Sequence, residues 1–408
     1  MRLSYLFFLL VPGLLHTGVS ADGSELVVHV EAENGRVLQS DSSDLAINPA
    51  SVVKAATSLW ALEKLGPDYR FDTHIGYTGR WDKASKIIHG DLIIQGSGDP
   101  DFHIENAYLI ATRLNQMGIQ KIQGNLLVNK TFWIGWEGGS EKREHNPEKR
   151  AKNMAARLRR ALDPTLWWKS SLRTIQKFEK RRGLAPVNRP TVIITGNTDL
   201  YSHDQIVVPL ILHRSNPLLS ILKRFNAYSN NDIERLGVNL GSPDEMTHWL
   251  SARWGEQAEG LNFASLSGLG SNRLSARQIV HLLNDLDAST SGIGVTLDEV
   301  LPVTGCDPGT GKNYPKLQDL LKGNLRAKTG SLRYTDGGVS VLAGIMESTQ
   351  GRRTFAVVKP NTGIHIKSAR AQQEQWVVDL LARSGGAHTK QCGKALLYSD
   401  ANIEIRTS

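Results

Sequence analysis

The stretch Pro49-Ala50-Ser51-Val52-Val53-Lys54 lies where a helical pattern begins, and it decides how the rest of the sequence is interpreted. Apolar residues recur at helical spacing from Ser51 to Leu65, and Gly66-Pro67 ends the pattern. Because residues i and i+3 lie on one face of a helix, the Lys54 amine can reach the Ser51 hydroxyl. A capping serine and a surface lysine have the same spacing, so the interpretation needs support from elsewhere in the chain.

Ser51 and Lys54 are the reactive groups that an acyl-transfer site requires. A serine hydroxyl is a poor nucleophile until a base takes its proton, and a lysine must be neutral to act as that base. Burial and a neighbouring cation both favour the neutral form of lysine. The start of a helix also supplies backbone N–H groups that stabilise an oxyanion.

Two later motifs support this interpretation. Ser229-Asn230-Asn231 follows a helical pattern and offers a second hydroxyl and an amide. Lys328-Thr329-Gly330 precedes strand-like sequence, where a lysine and a hydroxyl suit a substrate carboxylate and Gly330 lets a ligand backbone approach. Each tripeptide alone is typical of a turn. In the order Ser-x-x-Lys, Ser-x-Asn, Lys-Thr-Gly they match the motif set of penicillin-recognising serine enzymes.

The chain resembles the D-alanyl-D-alanine carboxypeptidase/endopeptidase family of low-molecular-mass penicillin-binding proteins that carry an inserted domain. Further landmarks of that family are Gly90-Asp91-Leu92, followed by Gly96-Ser97-Gly98-Asp99-Pro100. Leu301-Pro302-Val303 and the run from Arg326 to Leu332 are similar to it as well. The long separation between the first and second motifs leaves room for an insert, which β-lactamases usually lack.

The resemblance implies a role for each motif residue. Ser51 would be the nucleophile, Lys54 its activating base, and Ser229 the group that passes a proton to the leaving D-alanine. Asn231 would bind the substrate amide. The substrate-binding strand would use Lys328 and Thr329 for the terminal carboxylate, Gly330 for close approach, and the Ser331 N–H, with that of Ser51, as the oxyanion hole. No metal and no cofactor is expected.

We expect an α/β, multi-domain chain in which a serine transpeptidase/β-lactamase-like domain is interrupted by a mixed inserted domain. The catalytic domain would comprise residues 22–70 and 206–408, with an antiparallel sheet covered by helices and Ser51 at a helix start. The insert would comprise residues 71–205. At 408 residues, the chain is long enough for two or three domains.

The first 21 residues have the features of a secretory signal peptide. Arg2 is followed by an almost wholly apolar run, Leu3 to Leu15, and Gly18-Val19-Ser20-Ala21 supplies small residues for cleavage. We therefore expect a periplasmic protein, at most peripheral to a membrane. Cys306 and Cys392 could pair in that oxidising compartment, but the sequence does not say whether they lie close enough.

Most of the chain's positive charge is concentrated in one basic block, residues 141–182. The block holds 14 Lys or Arg against 5 Asp or Glu, whereas the net charge of the whole chain is +8. A solvated basic face is one interpretation, and contact with an anionic envelope polymer or lipid surface is another. Nucleic acid is not expected as a partner of a secreted protein.

Two stretches depart from the family's pattern. Asn129-Lys130-Thr131-Phe132 stands where the resemblance implies an acidic residue for the free amino group of the peptide, so side-chain specificity is expected to differ. Ser265-Leu266-Ser267-Gly268-Leu269 replaces an Asp-Gly-Ser-Gly-Leu loop, which is expected to slow turnover without removing acylation.

The resemblance implies hydrolysis of peptidoglycan stem peptides at D-Ala-D-Ala ends or D-Ala-diaminopimelate cross-links, with β-lactams as covalent inhibitors. Two alternatives remain open. A β-lactamase or D-amino-acid esterase would use the same motifs but would deacylate quickly after reaction with penicillin. A catalytically weak, peptidoglycan-binding homologue would bind muropeptides without releasing D-alanine.

Overall fold

A computed structural model describes residues 25–135, 144, 146–184, 187–202, 205–393 and 404–407. The predicted signal peptide lies outside these residues and stays a prediction. Positions 141–143 and 145 of the basic block also lie outside the described residues. In the described parts of the chain, no helix is both long enough and apolar enough to cross a membrane.

Strands and helices alternate along the chain. The strands are β1 (Val27–Ala32), β2 (Val37–Asp41), β3 (Asp72–Tyr77), β4 (Arg80–Asp82), β5 (Ile87–His89), β6 (Leu92–Gly96), β7 (Lys121–Ile122), β8 (Leu126–Val128), β9 (Ile193–Ile194), β10 (Thr198–Leu200), β11 (Val208–Arg214), β12 (Leu325–Leu332), β13 (Val339–Ser348), β14 (Gly351–Pro360) and β15 (Glu404–Thr407). The helices are α1 (Val53–Leu65), α2 (Ile104–Gln116), α3 (Pro147–Leu162), α4 (Lys169–Arg181), α5 (Leu218–Tyr228), α6 (Gly237–Leu240), α7 (Pro243–Trp254), α8 (Ala276–Gly292), α9 (Pro315–Leu320) and α10 (Ile366–Arg383).

The catalytic unit is built on an antiparallel sheet of five strands in the order β12-β13-β14-β1-β2. The inner strand β13 is buried on both faces because its side chains alternate between two helical layers. Val341 and Ile345 pack with α1, α5 and α8, whereas Leu342 and Met346 pack with α9 and α10. The expected antiparallel sheet covered by helices is confirmed.

The inserted unit contains two further sheets, one in the order β10-β8-β6-β3-β11-β15 and a smaller one in the order β4-β5-β7-β9. Both sheets include parallel pairs as well as antiparallel ones. Helices α2 and α3 pack their apolar faces against them. The insert therefore has the mixed helix-and-sheet structure that the sequence predicts.

The second boundary of the insert differs from the expected position. Strand β11, assigned to the catalytic segment that begins at 206, pairs antiparallel with β3 and belongs to the insert. The boundary therefore follows Arg214 rather than residue 205. Strand β15, also expected in the catalytic segment, pairs with the other edge of β11. Both differences arise because strand partners are set by long-range pairing, which local sequence texture does not reveal.

The chain passes between the units near Phe71 and again near Ser215, and these two crossings run side by side. The Phe71 N–H donates to the Ser215 hydroxyl at 2.9 Å, and the Ser215 N–H donates to the Phe71 carbonyl at 3.0 Å. The Arg70 guanidinium also donates to the Ser215 carbonyl at 2.8 Å. These two crossings are therefore fixed to each other.

Cys306 and Cys392, whose pairing the sequence left open, form a disulfide with their Cα atoms 5.4 Å apart. The bond ties the loop that follows Val303 to the segment that follows α10. That loop supports the third motif, because the Thr304 N–H donates to the Leu325 carbonyl of β12 at 2.9 Å.

Candidate active site

Ser51 lies in a short 3₁₀ turn, Ala50–Val52, that leads directly into α1. The residue before it, Ala50, has a left-handed backbone with φ of +48°, which is unfavourable for a residue with a Cβ. The Asn48 side chain holds this turn. Its Oδ1 accepts from the Ala50 N–H at 3.0 Å, and its Nδ2 donates to the Gly270 carbonyl at 2.8 Å.

Lys54 is fully buried one helical turn after Ser51. Its Nζ lies 3.1 Å from the Ser51 Oγ, 2.9 Å from the Asn231 Oδ1 and 2.6 Å from the Ser267 carbonyl oxygen. Burial lowers the pKa of Lys54 from 10.5 to about 7, and the charge of Glu234 opposes that lowering. A substantial fraction of Lys54 is therefore neutral at neutral pH.

The three neighbours of the Lys54 amine fix the direction of its lone pair. The Asn231 Oδ1 and the Ser267 carbonyl oxygen can only accept hydrogen bonds. A neutral amine satisfies them by donating both of its N–H groups. Its lone pair is then left for the third neighbour, the Ser51 hydroxyl, which is the arrangement a general base requires.

Residues 265–269 form a tight loop that supplies one of the Lys54 acceptors. The Glu234 carboxylate accepts from the Ser267 N–H at 2.9 Å and from the Leu266 N–H at 3.3 Å. Gly268 has φ of +87°, and a Cβ there would lie 1.9 Å from the Ala50 carbonyl oxygen. The loop therefore packs directly against the turn that carries the nucleophile.

Ser265 holds this loop at the position where the resemblance implies an aspartate. Its hydroxyl donates to the Leu269 carbonyl at 2.7 Å and accepts from the Gly268 N–H at 2.9 Å. A serine thus closes the turn by itself. The expectation that this replacement slows turnover stays a prediction.

Asn129 begins the other stretch that departs from the family's pattern, and its side-chain amide binds backbone groups of the insert. Its side chain accepts from the Gly96 N–H at 3.0 Å and donates to the Gly96 carbonyl at 2.9 Å. It also donates to the Thr131 hydroxyl at 2.9 Å. The amide therefore stabilises the end of β6, and the expected change in side-chain specificity is not tested by this arrangement.

Ser229 ends α5 with a left-handed backbone, φ +54°, which turns its side chain out of the helix direction. Its Oγ accepts a hydrogen bond from the Lys328 Nζ at 3.1 Å. Lys328 is fully buried on β12 and also donates to the Thr329 carbonyl at 2.8 Å. Burial holds the pKa of Lys328 well below its ordinary value, and the nearby Lys54 lowers it further.

Strand β12 lies with Gly330 against the nucleophile turn. A Cβ at Gly330 would lie 2.8 Å from the Pro49 carbonyl oxygen and 3.0 Å from the Ser51 nitrogen, so only glycine permits this approach. Ser331 follows on the same strand, and its hydroxyl accepts from the Arg370 guanidinium at 3.2 Å. The Thr329 and Thr310 hydroxyls lie 2.8 Å apart.

The structure brings the predicted residues together in two groups. Ser51, Lys54 and Asn231 form one, and Ser229 with Lys328 forms the other. Both meet along β12, where Thr329, Gly330 and Ser331 lie. The oxyanion pairing of the Ser51 and Ser331 N–H groups stays a prediction.

Sequence reasoning missed Glu234, Asn48 and Thr310. Glu234 stands three residues after Asn231, and Asn48 stands three before Ser51, so proximity to a motif was the one available signal. Across the described residues, no three His, Cys, Asp or Glu side chains are arranged to hold a metal ion.

A serine and a buried lysine at the start of a helix, a second serine–lysine pair, and a five-stranded antiparallel sheet define the class of penicillin-recognising serine enzymes. Comparison with known families then assigns the chain within this class. It belongs to the D-Ala-D-Ala carboxypeptidase 3 (S13) family, whose model matches residues 19–155 and 174–383.

Individual relatives agree with this assignment. A curated D-alanyl-D-alanine carboxypeptidase of Actinomadura sp. strain R39 is 29% identical over 107 residues, which are 26% of this chain and 20% of that protein's length. The chain thus matches about a fifth of that relative. A predatory endopeptidase of Bdellovibrio bacteriovorus, solved with an immunity protein, is 25% identical with a TM-score of 0.75, covering 93% of this chain and 98% of the other.

A third likeness concerns the fold alone. Penicillin-binding protein 4 of Haemophilus influenzae, solved with a β-lactam, is 18% identical. Its TM-score is 0.63, and the superposition covers 89% of this chain and 96% of that one.

Proposed function

We propose that this protein is a serine DD-peptidase that hydrolyses D-Ala-D-Ala ends and D-Ala-diaminopimelate cross-links of peptidoglycan peptides through a Ser51 acyl-enzyme. The observation that carries the proposal is the position of the Lys54 amine. Its Nζ lies 3.1 Å from the Ser51 Oγ, and its two other neighbours accept hydrogen bonds, so its lone pair is left for the Ser51 hydroxyl. The family assignment and the full-length likeness to an endopeptidase support the same chemistry.

Acylation follows from the positions of these groups. Neutral Lys54 takes the Ser51 proton while the Ser51 Oγ attacks the carbonyl carbon of the penultimate D-alanine. The negative charge that develops on the carbonyl oxygen would be stabilised by the N–H groups of Ser51 and Ser331. The Ser229 hydroxyl, held by Lys328, would pass a proton to the leaving amine and regain one from protonated Lys54, which is then neutral again. A water then attacks the ester, Lys54 accepts the proton of that water, and the proton passes to the Ser51 Oγ as the ester bond breaks.

Substrate binding uses the parts of the motifs that remain available. The Asn231 Oδ1 accepts from Lys54, so the N–H groups of the amide are the part that meets a substrate carbonyl. The Lys328 amine and the Thr329 hydroxyl would hold the terminal carboxylate. Gly330 lets the substrate backbone lie close beside β12.

The test is digestion of defined muropeptides, followed by chromatography and mass spectrometry. A disaccharide-pentapeptide reports carboxypeptidase activity by loss of D-alanine, and a cross-linked dimer reports endopeptidase activity by conversion to monomers. We expect both products with the wild type and with Ser368→Ala, an exposed serine on α10, and none with Ser51→Ala. Activity in Ser51→Ala, or muropeptide binding without cleavage by the folded wild type, would overturn the proposal.

We further propose that the protein works in the periplasm and that β-lactams acylate Ser51. The predicted signal peptide and the Cys306–Cys392 bond support the location, since disulfides persist in oxidising compartments. A penicillin G-acylated form is known for the related Bdellovibrio endopeptidase, at 24% identity to this chain. The basic block, residues 141–182, would contact an anionic envelope surface.

A further inference from the structure

Helix α4, in the basic block, presents a row of cations to solvent. Lys169, Arg173, Lys177 and Lys180 recur at spacings of three or four residues, so they share one helix face, and all four are exposed. The acidic residue within Lys169–Arg181, Glu179, is only 5% exposed. Its carboxylate accepts two hydrogen bonds of 2.9 Å from Arg189. In the part of the chain that the structure describes, no acidic side chain is paired with these four cations, which together form the α4 face.

Exposed apolar side chains flank the α4 face at both ends. Leu166 is 45% exposed and Trp168 is 62% exposed just before the helix, and Leu184 is 41% exposed just after it. The Arg160 guanidinium lies 4.2 Å from the centroid of the Trp168 ring, which holds that ring on the surface beside more positive charge. These three exposed apolar residues adjoin the cationic helix along the chain, two just before it and one just after it.

The other side of α4 is fixed to the insert. Ile175 and Phe178 are buried, and the Phe178 ring meets the Tyr108 ring of α2 edge to face at 5.8 Å. The Trp167 indole N–H donates to the Ala161 carbonyl at 3.1 Å. The α4 face therefore belongs to a helix whose opposite side is fixed to the insert, and Trp167, beside Trp168, is held as well.

We propose that the α4 face docks this protein on the surface of a bilayer that contains anionic phospholipid. Cations on the exposed face of a helix, with exposed Trp and Leu beside its ends, suit a surface that offers both anionic headgroups and an apolar boundary. Lysine and arginine meet the lipid phosphates, while Trp168, Leu166 and Leu184 enter the boundary with the acyl chains. A purely polyanionic partner would need the cations but would give the exposed apolar residues no role.

The family model does not match residues 156–173, which include Leu166, Trp168 and the first part of α4. Part of the docking surface therefore lies outside the residues that the family model matches, whereas Lys177, Lys180 and Leu184 lie within them. Docking on a bilayer names the partner of the anionic contact proposed above, and it does not depend on the Ser51 chemistry.

The test is sedimentation with vesicles of phosphatidylglycerol and phosphatidylcholine, compared with phosphatidylcholine alone. We expect wild-type binding only to the anionic vesicles. A charge variant, Lys169→Gln/Arg173→Gln/Lys177→Gln/Lys180→Gln, is expected to bind at least about 100-fold more weakly, because each surface cation contributes about fivefold. Trp168→Ser keeps every charge and is expected to lose about tenfold.

A matched control removes four exposed lysines elsewhere, in Lys83→Gln/Lys86→Gln/Lys322→Gln/Lys367→Gln. It lowers the net charge by the same amount, and we expect it to keep wild-type binding. Equal loss in this control, or unchanged binding in the charge variant, would overturn the proposal. Unchanged vesicle binding by Trp168→Ser, together with tight binding of soluble polyphosphate, would assign the face to an anionic polymer instead.

Penicillin acylation measured on the same preparations separates this proposal from the peptidase proposal. All variants are expected to acylate at the wild-type rate, which also shows that they are folded. A wild type that acylates but does not bind anionic vesicles would overturn the docking alone. A wild type that binds vesicles but does not acylate would overturn the peptidase proposal alone.

Discussion

We expect Lys54 to set the pH dependence of Ser51 acylation, and a substitution at Glu234 tests that expectation. Burial lowers the pKa of Lys54 to about 7. Since only the neutral amine accepts the Ser51 proton, the active fraction is about a tenth at pH 6, about half at pH 7 and about nine-tenths at pH 8. The wild-type acylation rate constant should rise about ninefold between these limits and level off above pH 8.

Removing the Glu234 charge should move this rise to lower pH. The carboxylate raises the pKa of Lys54 and is linked to it through the backbone of Ser267. One pKa unit corresponds to about 1.4 kcal/mol, so even an interaction of about 1 kcal/mol between the two charges moves the midpoint measurably. In Glu234→Gln the midpoint should therefore fall below pH 7, making this variant several-fold faster than wild type at pH 6, where most of the wild-type amine is protonated.

The assay is the second-order rate constant for a fluorescent penicillin, measured between pH 5 and pH 9. The exposed Glu259 supplies a matched control, and Glu259→Gln should follow the wild-type curve. A wild-type rate that is flat between pH 6 and pH 8 would refute the role of Lys54 as base. A Glu234→Gln curve that is lower at every pH, with an unmoved midpoint, would show that Glu234 acts only on the shape of the loop.

Three further changes have defined outcomes. Gly330→Ala should slow acylation by at least about tenfold in the same assay, because its Cβ would lie 3.0 Å from the Ser51 nitrogen; an unchanged rate would contradict the close approach of β12. Cys306→Ser/Cys392→Ser should lower the free energy of unfolding by about 2–4 kcal/mol in urea titrations, and equal stability would show that the bond is absent in solution. Lys328→Ala should raise KM for D-Ala-D-Ala peptides more than it lowers kcat, whereas the reverse would make Lys328 mainly a proton-transfer group.

The parts of the site that the sequence predicted are those built from short spacings. The Ser51–Lys54 pair requires only one turn of helix, and periodicity establishes that turn without any knowledge of the fold. Ser229, Asn231 and the Lys328-Thr329-Gly330 strand were placed by their order along the chain. In the structure, Lys54 contacts Asn231 and Lys328 contacts Ser229.

The parts that the sequence missed depend on contacts between distant segments. Glu234 reaches Lys54 only through the backbone of residues 266 and 267, and no local pattern reports such a path. The assignment of β11 to the insert rests on its pairing with β3, and the disulfide joins positions 86 residues apart. The sequence showed the positive charge of the α4 face. Only the exposed fractions of Leu166, Trp168 and Leu184 showed that apolar side chains border it.

The central claim is that Ser51 forms a covalent acyl-enzyme, and the most direct measurement is the intact mass of the purified protein after incubation with benzylpenicillin. Wild type and Ser368→Ala should each gain one penicilloyl group, and Ser51→Ala should gain none. The lifetime of the adduct then separates a peptidase, which holds it, from a β-lactamase, which releases it quickly. An adduct on Ser51→Ala, or none on a folded wild type that leaves the drug intact, would contradict the account.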